Sequence, residues 1–268
     1  MYIAEIGWNF MGDMSLAEDM IAAAANAGAT HVKFQYWREE RLKPGEWDND
    51  GRRQIYVSAQ LDEKKIIQIS NMAEKYGVPA FYSVFNATDA KVIKKLGFNI
   101  IKIPSHEVTN YELIDYCLKN FGLIIFSAGA CTEQEFKIIA EKINSSKNKV
   151  ILMHCVSCYP CPSENANLKR LELLSNYCPN IELGLSDHTG SEVLPAVSAA
   201  YGTTAIEKHF TTNRDLPGRD NKFALLPDNF RVMVANHKDA LKGLIEHGID
   251  YQECEKDTVE KYRGRWNH

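Results

Sequence analysis

The chain reads as an α/β protein built as a single (β/α)8 or TIM barrel, and three observations point there. Short runs rich in β-branched residues alternate with longer amphipathic segments, eight of each, over most of its 268 residues. The short runs are almost continuously apolar and no turn-rich hairpins join them, as expected of parallel strands covered on both faces. No G-x-G-x-x-G follows the first run, which argues against an open dinucleotide-binding sheet. Barrels of this type occupy roughly 250 residues as one domain.

The strands are expected at residues 2–8, 31–37, 79–85, 99–104, 123–127, 150–156, 181–186 and 204–210, with helices between them. The first helix opens with Ser15 as N-cap and Glu18 as its capping-box partner, and Gly28 follows the last turn. Asp62 heads the next helix, Gly77 before Pro79 is a stop, and Thr132 with Glu135 forms a further capping pair. The longest connection, residues 38–60, is rich in charge, glycine and tryptophan and is either a functional lid or a solvated insertion. Residues 1–247 are read as the barrel and 248–268 as a charged terminal helix or tail.

Composition narrows the function classes. With 45% hydrophobic and 25% charged residues, the chain is an ordinary globular protein with a sizeable core. A net charge of −4 with scattered lysines and arginines offers nucleic acid no basic field. No apolar run approaches a membrane span, and Met1 leads straight into a strand, so a cytoplasmic protein without a membrane partner is expected. The spacing Cys155-x-x-Cys158-x-x-Cys161 could ligate zinc or an iron–sulfur cluster. Cys155 lies in a strand, however, and no fourth thiol follows nearby, so these are read as packed or loop cysteines.

In such a barrel the site is built at the C-terminal ends of the strands. Lys33 and Lys102 end separate strands, with hydroxyls from Ser83, Ser105, Ser127 and Ser186 nearby, a cradle suited to phosphate or carboxylate. Either lysine could instead form a Schiff base, or pair internally with Glu5, Glu107 or Glu207. His188 and His209 end adjacent strands and can converge on one divalent ion, although a lone strand-end histidine is as well explained as a core residue or general base. His31, His154, His237, His247 and His268 are left as packing or surface residues.

Taken in order, the strand ends resemble those of the sialic acid synthase family, whose members condense phosphoenolpyruvate with an N-acetylated amino sugar. The matching pieces are Glu5-Ile6-Gly7 with Asn9 and Gly12, Val32-Lys33-Phe34-Gln35, Lys102-Ile103-Pro104-Ser105 with Glu107, and His154-Cys155 with Tyr159-Pro160. They continue through Ser186-Asp187-His188-Thr189 and Glu207-Lys208-His209-Phe210-Thr211 to Pro217-Gly218 with Asp220. The resemblance implies a divalent metal on His188 and His209, manganese by family preference with magnesium or cobalt as alternatives. It implies phosphoenolpyruvate on Lys33, Lys102, Ser105, Ser127, Ser157 and Ser186, and an amino sugar against Glu5, Glu107, Tyr159 and Asp220.

The sequence also departs from the family pattern. Asn9-Phe10 replaces Asn-His, Ser83-Val84-Phe85 lacks the usual proline, and His106 stands where glycine is usual. Ser127-Ala128-Gly129-Ala130 replaces Ser-Thr-Gly-Met, and Pro217-Gly218-Arg219-Asp220-Asn221 replaces Pro-Gly-Pro-Asp-His. Family members commonly carry an antifreeze-like domain after the barrel, which reaches across a homodimer and offers an arginine to the acceptor. The sequence reaches His268 roughly where the linker to that domain would begin. That arginine is then expected from a separate antifreeze-like chain, from Arg219 or another barrel residue, or the acceptor differs. A Schiff-base pyruvate aldolase and a non-catalytic sugar-binding paralogue are the competing functions.

Overall fold

The computed structural model describes residues 1–266, so the reading of His268 as a surface residue lies outside the described residues. Eight parallel strands close into a barrel in sequence order: β1 (Tyr2–Gly7), β2 (His31–Tyr36), β3 (Ala80–Val84), β4 (Ile100–Ile103), β5 (Leu123–Ala128), β6 (Lys149–Cys155), β7 (Glu182–Asp187) and β8 (Thr203–His209). Each lies within a residue or two of its expected place. The described residues form ten helices rather than eight: α1 (Met14–Asn26), α2 (Arg52–Ala59), α3 (Glu63–Lys75), α4 (Ala87–Lys95), α5 (Tyr111–Asn120), α6 (Glu133–Asn144), α7 (Arg170–Tyr177), α8 (Leu194–Ser198), α9 (Pro227–Gly243) and α10 (Lys256–Lys261). The two extra ones are α2, inside the long connection, and α10, in the exposed tail. Among the described residues no helix is long and apolar enough to cross a membrane.

Alternation along the strands sorts the side chains. Outward positions such as Ile6, Phe34, Tyr82 and Ile206 form the core beneath the helices. Inward positions fill the barrel in layers, Ile3, Phe81, Ile125, Ile151, Met153 and Ala205 packing together as its apolar filling. Gly184 makes room for this layer, because a Cβ there would lie 2.9 Å from both Ala205 O and Met153 Cγ. One inward step further toward the C-terminal ends, the eight strands present Glu5, Lys33, Ser83, Lys102, Ser127, Cys155, Ser186 and Glu207, so period-two geometry delivers a mainly polar layer above the apolar one.

Helix caps follow the expected chemistry with one correction. Asp62 accepts from Lys65 N, and Thr132 with Glu135 forms the capping box. The cap of α1 is Asp13, whose carboxylate accepts from Ser15 N and Leu16 N, and not Ser15. Glu18 turns to α3 instead, meeting Lys75 Nζ at 2.7 Å.

The long connection docks onto the barrel mouth. Trp37 Nε1 donates to Tyr56 O at 3.2 Å, Trp8 stacks on Tyr56 with centroids 5.3 Å apart, and Arg41 pairs with the buried Asp89. Gly12, at φ +84°, supports α2 so closely that an added Cβ would stand 2.0 Å from Ser58 O. Gly12→Ala is therefore expected to push α2 off the mouth and to destabilise the fold by about 2 kcal/mol or more through strain and clash. Thermal denaturation together with quenching of Trp8 and Trp37 fluorescence checks it.

Candidate active site

A cavity of about 550 Å³ opens at the C-terminal mouth of the barrel. Its wall includes Glu5, Lys33, Ser83, Lys102, Ser105, Glu107, Ser127, Tyr159, Ser186, His188, His209 and Asp220, twelve residues that the sequence singles out. Ser157, the remaining one, lies outside this lining and is exposed, but its hydroxyl meets that of Ser105 at 2.6 Å.

Charge dominates the floor. Lys33 Nζ lies 2.8 Å from Glu5 Oε2 and 3.7 Å from Glu207 Oε1, and Lys102 Nζ lies 2.8 Å from Glu207 Oε2. The internal ion pairs raised as an alternative to ligand binding thus exist, and they exist on the cavity floor. Ser186 Oγ donates to Glu207 Oε1 at 3.1 Å, and Gln35 Nε2 to Glu5 Oε1 at 2.7 Å. The two carboxyls are pushed apart. Burial works to raise both, but Lys102 and Lys33 outweigh it at Glu207 and hold it at about 2. At Glu5 burial wins over Lys33, and the field of Glu207 adds to the rise. Burial also lowers the Lys102 ammonium, whereas the carboxylates around Lys33 overcome burial and raise it. Ser127 Oγ is buried without a hydrogen-bond partner.

Above this floor the two histidine rings stand 5.4 Å apart, with Tyr159 against His188 at 4.2 Å between centroids. His188 Nδ1 donates to Val156 O at 2.8 Å. A carbonyl only accepts, so in the neutral ring Nδ1 carries the proton and Nε2 keeps its lone pair. His209 is pushed well below the ordinary histidine range by burial and by His188 and Lys33, and its Nδ1 is buried without a hydrogen-bond partner. At His188 burial is outweighed by Cys155 and the Val156 carbonyl, which raise it; once Nε2 is deprotonated, the two underused imidazoles side by side fit a borderline divalent ion. Among the described residues no group of three His, Cys, Asp or Glu side chains forms a metal cage. Any remaining ligands would come from substrate or water. Cys155, Cys158 and Cys161 are free thiols, Cys155 and Cys161 buried and Cys158 exposed.

Several cavity residues escape a reading by strand ends. Trp8 Nε1 donates to Asp220 Oδ2 at 2.5 Å, which places that carboxylate 3.6 Å from His209 Nδ1. Trp37, Tyr56 and Phe85 build an aromatic wall, with His106 stacked on Phe85 at 5.5 Å. Glu207 enters the sequence reading as a possible lysine partner and as part of the eighth strand's motif but without a site role, and its place two residues before His209 on the same strand face was the available signal.

The sequence profile of the NeuB family matches residues 20–247. The N,N'-diacetyllegionaminic acid synthase of Legionella pneumophila is 29% identical over 254 residues, 89% of this chain and 71% of that protein. A pseudaminic acid synthase of Campylobacter jejuni is 32% identical over 263 residues, 94% of this chain and 76% of that one. The crystal structure of N-acetylneuraminic acid synthetase from Leptospira borgpetersenii in complex with citrate superimposes with a TM-score of 0.87 at 30% identity, covering 97% of this chain and 90% of its own. The closed eight-stranded barrel and the ordered strand-end motifs have one source: the chain belongs to the NeuB family and is an enzyme, a carbon–carbon bond-forming transferase of the synthase kind.

Proposed function

We propose that the chain condenses phosphoenolpyruvate with an open-chain amino sugar or related aldose, giving a nonulosonic 2-keto sugar acid and phosphate. One observation carries the reading: two buried lysines and an unpartnered serine hydroxyl form a floor beneath two adjacent histidines in a single cavity. The names of the relatives, synthases of legionaminic, pseudaminic and sialic acids, support the same class.

Lys33 and Lys102, with Ser105, Ser127 and Ser186, would bind the phosphate and carboxylate. The lysines balance charge rather than act as nucleophiles. C3 of phosphoenolpyruvate forms the new bond to the aldehyde carbon, whose oxygen takes a proton. Water adds at C2, and phosphate leaves with the electrons of the C2–O bond. Glu5, Glu107, Tyr159 and Asp220 line the wall on the acceptor's side, and Glu107, raised by burial and held by Asn110 at 2.7 Å, can hold a proton there. His188 and His209 would hold a divalent ion, Mn²⁺ by family preference, whose chemistry when bound is Lewis-acid polarisation of the acceptor carbonyl. Arg219 lines the mouth together with Arg38, Arg41 and Arg52, and an arginine of this set would meet the acceptor's acyl group.

The test is phosphate release from phosphoenolpyruvate with Mn²⁺ and a panel of N-acetylmannosamine and diamino-deoxy sugars, run beside borohydride trapping with pyruvate. Release that requires phosphoenolpyruvate, sugar and metal together is expected, without a trapped adduct. The lowered Lys102 ammonium is the one observation favouring a Schiff-base aldolase, and a borohydride adduct on a lysine, without phosphate release, would replace the synthase reading by that one.

A further inference from the structure

His188 and His209 are each preceded by a residue that strand alternation turns to the opposite side of the barrel wall, Asp187 and Lys208. These predecessors are register partners across β7 and β8. Their side chains meet at 2.8 Å, with 4% of Asp187 and 2% of Lys208 exposed. Lys208 Nζ also donates to Thr189 O at 2.5 Å and to Ser191 O at 3.2 Å. Asp187 in turn accepts from Thr189 N at 2.9 Å and from Thr189 Oγ1 at 3.0 Å. The segment on both sides of His188 is thus tied to one ammonium on the neighbouring strand. From the cavity side, the same histidine is held by Cys161 N donating to its carbonyl at 2.9 Å and by its own bond to Val156 O.

Stability is a weak reason for this arrangement. Replacing a buried ion pair with apolar residues of similar volume is often neutral or stabilising, since desolvating two charges offsets their attraction. What the pair does fix is the offset of the two strand ends, and with it the separation and tilt of the rings in front. We infer that Lys208 and Asp187 are a positioning pair, a brace behind the barrel wall that holds His188 in the Nδ1–H tautomer, at the spacing from His209 that a shared ion requires. The inference rests on the metal reading proposed above for its purpose, but its structural half stands without a metal.

Lys208→Met keeps the length and burial of the side chain and removes the ammonium. In metal-free protein, ¹⁵N imidazole shifts assigned with a His188→Gln sample are expected to show the Nδ1–H tautomer in the unaltered chain and a tautomer mixture in Lys208→Met. Calorimetric titration with Mn²⁺ alone is expected to show roughly 10- to 100-fold weaker binding in the variant, the usual effect of removing an outer-shell partner, with partial recovery in Lys208→Arg. His237→Phe serves as the control. It breaks the buried bonds of His237 to Tyr2 OH at 3.0 Å and Thr203 Oγ1 at 3.4 Å at the opposite face, so it should lower thermal stability while leaving both readouts unchanged. A Lys208→Met protein with the native tautomer and Mn²⁺ affinity within about twofold of the unaltered chain would overturn the inference. If the unaltered chain bound no Mn²⁺, the metal reading would fall, and the imidazole shifts alone would decide for or against the brace.

Discussion

Phosphate release is expected to fall by about a hundredfold or more in His188→Ala and in His209→Ala, because loss of a Lewis acid removes several kcal/mol of stabilisation from charge developing on the acceptor oxygen. Both variants should lose Mn²⁺ binding while keeping the fold. The His188 ring bonds to Val156 O at 2.8 Å and meets Cys155 Sγ at 3.9 Å, and His209 makes a long polar contact to Asp220 at 3.6 Å, so neither ring anchors the barrel. His188→Gln and His209→Gln preserve bulk and polarity and should be as inactive as the alanines. The measurement is metal-dependent phosphate release at saturating substrates, with thermal denaturation in parallel. Turnover within about tenfold of the unaltered chain in either glutamine variant, or turnover insensitive to exhaustive chelation, would remove the ion from the reaction.

The same two residues show what a single sequence can carry. The histidines, lysines and serines were legible because a closed barrel has one polar mouth, so a polar residue at the C-terminal end of an inward-facing strand has few other places to be. Lys33, Ser83, Lys102, Ser127, Ser186 and Glu207 all obey that parity. Contacts that depend on chain closure were not legible. Trp8 and Asp220 are 212 positions apart, and no local pattern announces their bond. Helix α2 was hidden because its eight residues open on the polar Arg52, Arg53 and Gln54 and leave only a short apolar face, Ile55, Tyr56 and Ala59, by which it docks. Ser15 was mistaken for a cap because Ser15 and Glu18 have capping-box spacing. Asp13, two residues earlier, presents a carboxylate that takes two backbone amides at once.

Glu207 is the position where stability and chemistry meet, and Glu207→Leu is expected to cost about 3–5 kcal/mol of stability. The substitution leaves Lys33 with Glu5, but it leaves Lys102 with no partner nearer than Met153 Sδ at 3.4 Å, which accepts only weakly. An uncompensated ammonium in the barrel interior is the reason for the loss. The double variant Glu207→Leu with Lys102→Met should recover most of it, because an apolar pair can replace a buried ion pair. Acid supplies an independent check. The Glu207 carboxyl sits at about 2 in the folded protein against an ordinary 4.5, so its contribution is fully present above about pH 4.5 and is lost as pH falls toward 2. The stability gap between the unaltered chain and Glu207→Leu, measured by thermal denaturation, should therefore be widest near neutrality and close across that window. A gap that is constant with pH, or below about 1 kcal/mol at neutral pH, would mean that Lys102 finds another partner or is neutral in the variant. Turnover should fail in the double variant even where stability returns. Glu207 fixes the Lys102 ammonium beneath the histidines, and an apolar pair on that floor restores the packing without restoring the second cation that the proposed phosphate site needs.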